Sequence, residues 1–225
     1  MTRTRGLTSS VRWIDRFQLW IDRFQLWMSD HTPYDGLTLS VLDLHNDSDA
    51  LLVRVKDALA LLERYDPRRY QRLKRDCPHI WTTLLTGAVG RYNHGLKAIL
   101  LDQRYVSGST SSSEIAATVV HELTHARLAR CGIGYAEPDR GRVERACYTQ
   151  ELAFARLVPN CDALVMRLQK SLARPDSDWN DETLRLDTMA ATPRALEYLG
   201  VPQWLSRVTV SIGSFVSRLL RRRAA

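Results

Sequence analysis

Long apolar runs are what this chain of 225 residues most plainly lacks. The longest one near its C-terminal end, 208–220, is broken by Thr209, Ser211, Ser214, Ser217 and Arg218, which leaves it too short and too polar to span a bilayer. The first dozen residues are Arg-rich with no apolar stretch of signal-peptide length after them, so the expected compartment is cytoplasmic. Cysteine is scarce. Cys77, Cys131, Cys147 and Cys161 form no CxxC pair, which excludes a disulfide scaffold and reads as free thiols that mostly fill a core. Acidic residues are nearly missing from the two ends: residues 1–27 carry five Arg and two Asp, net +3, and residues 206–225 carry five Arg and no acid, net +5. The intervening segment holds 22 basic and 23 acidic residues, net −1, so the overall +7 is a property of the tails. No nucleic-acid partner is expected, and peripheral membrane contact through the tails stays open. With 44% hydrophobic and 25% charged residues the composition is that of a globular protein, which excludes disorder and a membrane-embedded bundle.

A seven-residue unit is present twice without a change, Trp13-Ile14-Asp15-Arg16-Phe17-Gln18-Leu19 and Trp20-Ile21-Asp22-Arg23-Phe24-Gln25-Leu26, followed by Trp27. On a helix the Trp, Ile and Phe of each unit fall within about 100° of one another, giving an aromatic stripe. It suits either a docking or membrane-surface helix or an extension with little role. The chain divides accordingly into an N-terminal extension (1–27), a domain (28–205) and a basic tail (206–225), and the domain is expected to fold from Met28 onward.

Within the domain the pattern is α+β. Residues 37–44 alternate as a strand, 49–65 carry apolar residues at helical spacing, and Pro67 and Pro78 punctuate. A second strand is expected over 97–106 and a Ser/Gly/Thr loop over 107–113. Ser111 and Glu114 then stand at capping-box spacing, so a long helix begins there and stops at Gly132. A further helix is expected over 142–157, ended by Pro159, with Glu137 and Asp139 in the loop before it.

The long helix contains Val119-Val120-His121-Glu122-Leu123-Thr124-His125-Ala126. Four residues separate the two His, so both project from one face and can converge on one ion. Glu122 is offset by about 100°, which puts its carboxylate beside the ion, where a base acting on water must sit. Residues 120–126 resemble the active-site helix of the zincin metallopeptidases, and the order strand, loop, HExxH helix, second helix over 97–160 is similar to their catalytic core. The resemblance implies a zincin-like α+β fold, Zn2+ held by His121 and His125, Glu122 as catalytic base, and a peptide or protein substrate.

The third ligand sorts the subgroups. The metzincin pattern would need Gly and His where Leu128 and Cys131 stand, and Cys131 lies about 280° around the helix from His121, facing away. The gluzincin pattern needs a Glu from the next helix, for which Glu144 is the first choice, on its resemblance to thermolysin-like spacing, and Glu151 the second. The two share a face about 10 Å apart, so a single ion takes one of them, and the other suits a ligating His as its partner. Residues 154–159 resemble the small bacterial zincins that cleave repressors. Tyr135, Tyr148, His94 and Arg145 are candidates for stabilising an oxyanion, and strand residues 98–101 for pairing with an extended substrate. The expected function is zinc-dependent peptide hydrolysis. A catalytically silent zinc-binding domain is the alternative, against which the Glu122 position argues.

Overall fold

The computed structural model describes residues 19–42 and 47–198. Residues 13–18 of the first heptad copy, the end of the strand expected over 37–44 and the basic tail lie outside the described residues. Helix α1, described over 19–27, is followed by strands β1 (Asp30–Tyr34) and β2 (Leu37–Val41). Asp35 and Gly36 between them both have positive φ, 44° and 78°, the backbone of a type I′ hairpin turn that Asp-Gly favours. Helix α2 (Ser48–Tyr65) turns directly into α3 (Pro67–Asp76): Pro67 takes the first helical position and the Asp66 side chain caps the amide of Arg69. Strands β3 (His79–Thr83), β4 (Gly90–Asn93) and β5 (Ala98–Asp102) follow.

The five strands form one mixed sheet in the order β1-β2-β3-β5-β4, with β2, β3 and β5 parallel and the outer strands β1 and β4 antiparallel. Two expectations need correction here. The strand expected over 97–106 stops at Asp102, because the Asp102 carboxylate accepts from the amides of Arg104 and Tyr105 and starts the short helix α4 (Gln103–Ser107). Strand β5 also cannot pair with a substrate, since β3 and β4 occupy both of its edges. The edge strand on that side is β4.

Helix α5 (Ser112–Arg130) begins with both halves of a capping box, Ser111 and Glu114, and ends at Cys131 and Gly132. There Gly132 takes φ 78° and the Ile133 amide reaches the Leu128 carbonyl, a Schellman stop. Helix α6 (Glu137–Ala155) starts earlier than expected, with Pro138 in its first turn, so Glu137 and Asp139 are helical and not in a loop. Helix α7 (Asp162–Leu172), a 3₁₀ turn (Asp176–Trp179) and helix α8 (Asp181–Tyr198) complete the described chain.

One face of the sheet, Leu37, Leu39, Val41, Ile80, Ile99 and Leu101, packs under α2 and α5 in the main core. The opposite face carries Trp81, Ala98 and Leu100, and Leu26 of α1 packs there. The Trp81 indole N–H donates to Ser29 Oγ at 3.0 Å, and the Asn93 amide to Asp22 at 2.8 Å. The second heptad copy therefore lies against the back of the sheet. No helix among the described residues is long and apolar enough to cross a membrane.

Candidate metal centre

Residues 115–123 of α5 are buried almost all round, between the sheet, α2 and α6, so polar groups placed there must find partners inside the protein. They find them on α6, which runs antiparallel to α5. His125, nearer the end of α5, meets Glu144, whereas His121 lies between Glu144 and Glu151.

The Nε2 atoms of His121 and His125 are 3.2 Å apart. The Glu144 carboxylate faces both, with 3.4 Å from Oε2 to His121 Nε2 and 3.4 Å from Oε1 to His125 Nε2. A tetrahedral ion with bonds of about 2.0–2.1 Å separates its ligand atoms by about 3.3 Å. Each histidine faces a different oxygen of Glu144 at about that separation, and imidazole and carboxylate are donors that zinc takes.

The other ring nitrogen of His121 bears on the same question. Nδ1 lies 2.9 Å from Glu151 Oε2, and an ionised carboxylate only accepts, so Nδ1 carries the proton. In neutral His121 the Nε2 lone pair then faces the Glu144 oxygens. That contact is repulsive unless His121 is protonated or a cation lies between them. Without a cation the protein takes the first course: burial opposes the charge on His121, but Glu144 and Glu151 outweigh it and raise the His121 pKa to about 10. Burial likewise pushes the Glu144 carboxyl up, and the two imidazoles outweigh it, holding it well below the usual carboxylate range.

Glu144 is buried, and neither neighbouring arginine neutralises it. Arg142 is 3.6 Å from Asp139, and Arg145 donates to the Leu172 carbonyl at 2.8 Å and pairs with Asp176. Glu122 is also buried, and burial raises its pKa despite the opposing pull of His121 and His125. Strand β4 lies against it. The Tyr92 backbone draws the Glu122 carboxyl back down, and a Cβ added at Gly90 would come within 3.0 Å of Glu122 Oε1.

Of the four candidate oxyanion donors, Tyr135 has its hydroxyl at this cluster: it donates to Glu144 Oε1 while its ring meets that of His125 edge-on at 5.3 Å. Tyr148 packs edge-on against His121 at 4.8 Å. His94 is exposed in the turn after β4, and Arg145 is held at the end of α7.

Sequence reasoning overlooked Cys147, which it left as core filling. Its Sγ and ring nitrogens of His121 and His125 all lie within 4.8 Å of one another, so the thiol is a further candidate ligand for the same centre. Burial raises the thiol pKa, and the nearby Glu144, Glu122 and Glu151 charges raise it further. The available signal was its place three residues after Glu144, on the same face of α6. Gly90 and Tyr92 were overlooked too, and nothing in one sequence marks them.

Comparison with protein-family models and with curated proteins finds no match.

Proposed function

We propose that this chain is a zinc-dependent metallopeptidase with a zincin-like catalytic core. The observation that carries the reading is the convergence of His121, His125 and Glu144, whose ring nitrogens and carboxylate oxygens approach within 3.2–3.4 Å, with Glu122 buried beside them. His121, His125 and Glu144 hold the ion, and Glu151 fixes the tautomer of His121. Bound zinc supplies a Lewis acid that polarises water and the scissile carbonyl. Glu122 accepts the proton of the attacking water and delivers it to the departing amine, a task that a carboxyl with its pKa raised by burial suits. Tyr135 is the candidate oxyanion donor. The outer edge of β4, next to Glu122, offers backbone groups to an extended peptide.

A site that merely tied α5 to α6 would have no use for a buried, uncoordinated carboxylate at residue 122. The test is Glu122→Gln, which keeps the side-chain shape and removes the base. The variant retains zinc, and its hydrolysis of a mixed peptide substrate falls by about 10²–10⁴-fold. Undiminished hydrolysis by the zinc-loaded variant would sink the peptidase reading.

A further inference from the structure

The outward face of α1 has no role in the site just described. Trp20 is 61% exposed, Phe24 48%, Trp27 76% and the adjoining Met28 59%. Trp20, Phe24 and Trp27 touch ring to ring and Met28 follows directly, so the four form one exposed apolar patch. The rings line up along the helix, Trp20 to Phe24 at 5.9 Å with near-parallel planes and Phe24 to Trp27 at 6.0 Å. Their direction is fixed from behind, because the opposite face of α1 is anchored: Asp22 accepts from Asn93, Leu26 packs on the sheet, and a Cβ at Gly95 would strike Leu19.

Charge decides what this face fits. The one acidic residue of described α1, Asp22, is buried toward the sheet, and Arg23 is exposed. The first heptad copy has the identical residues, with Trp13, Arg16 and Phe17 at the positions of Trp20, Arg23 and Phe24. Tryptophan and arginine with no exposed acid between them are the chemistry of the bilayer interface, where the indole ring straddles the apolar boundary and the guanidinium meets phosphate. One such patch binds weakly, and stable attachment needs a second signal. The sequence carries one in residues 208–223, apolar at Val208, Val210, Ile212, Phe215, Leu219 and Leu220 and basic at Arg218, Arg221, Arg222 and Arg223.

We propose that α1 docks this chain on an anionic lipid surface through Trp20, Phe24 and Trp27. The experiment is co-sedimentation of the full chain with vesicles of phosphatidylcholine alone and of phosphatidylcholine with about a third phosphatidylserine, at low and high salt. The expected result is binding to the anionic vesicles that weakens with salt, together with quenching of tryptophan fluorescence by lipid brominated in the upper acyl chain. The Trp20→Ser/Trp27→Ser variant keeps the unfolding midpoint, since both positions are exposed, and binds about tenfold more weakly or worse. Absence of binding to either vesicle, absence of quenching, or binding that the double variant leaves unchanged overturns the proposal. So does a concentration-dependent dimer in light scattering that the same variant abolishes, which would assign the face to a second copy of the chain.

Discussion

Glu151 Oε2 sits 2.9 Å from His121 Nδ1, on the far side of the imidazole from Glu144. The two glutamates that compete for one role in the sequence thus divide two roles in space: one faces the shared centre, the other orients the ring that forms it.

Zinc affinity separates those roles. Glu144→Ala removes a donor and is expected to abolish stoichiometric zinc. Glu151→Ala leaves all three donors and is expected to weaken zinc by about 10–100-fold, as loss of an outer partner does. Cys147→Ser is expected to leave affinity nearly unchanged. Zinc titration against a competing chelator measures all three, and a chain that loses zinc only in the Cys147 variant would reassign the site.

Gly90 is expected to matter for turnover more than for metal. A Cβ there lies 2.6 Å from Thr118 Cγ2 and 3.0 Å from Glu122 Oε1, closer than side chains tolerate. Gly90→Val should therefore displace Glu122 and lower kcat by about tenfold or more, with zinc content retained. A valine variant with full activity would show that β4 yields instead.

Acid stability is expected to depend on His79. Its ring nitrogen meets Ser40 Oγ at 2.7 Å, Ser40 meets His31 at 2.7 Å, and burial, with the His31 charge, lowers the His79 pKa. A histidine whose folded pKa is depressed binds more protons when unfolded, so stability rises with pH across this range and falls as pH drops below about 6.5. Thermal melts of the wild type and His79→Gln between pH 5 and pH 8 test this: the variant has the shallower dependence. Parallel curves would remove His79 from the account.

Removing residues 1–27 is expected to uncover the back of the sheet at Trp81 and Leu100. Leu26 leaves that cluster and Asn93 loses Asp22, a cost of about 1–3 kcal/mol from the apolar burial. A lower unfolding midpoint with zinc still bound is the expected outcome, and an unchanged midpoint would show α1 to be dispensable.

The parts of the fold that the sequence displayed were those with local, one-sided signals. Ser111 and Glu114 announced the start of α5, Gly132 its end, and the His121 to His125 spacing its working face. Strands β3 and β4 were illegible for a physical reason. They are only five and four residues long, β3 is buried on both faces, and β4 is a polar edge reading Gly-Arg-Tyr-Asn, so neither alternates cleanly. Strand β1 was legible in principle through Asp35-Gly36 and was passed over. The choice between Glu144 and Glu151 rested on how far α6 slides along α5, a tertiary quantity that helical periodicity does not contain.

The side chains of the centre, from His121 to Glu151, come from one helical hairpin whose connecting segment runs only over 131–136. Closing so short a loop costs little chain entropy, whereas the sheet must bring β2 beside β3 across two helices. The contacts that make the centre are therefore of low contact order within a fold whose scaffold is of higher contact order. Folding kinetics follow from that asymmetry: the hairpin can gather these side chains before the sheet has found its register.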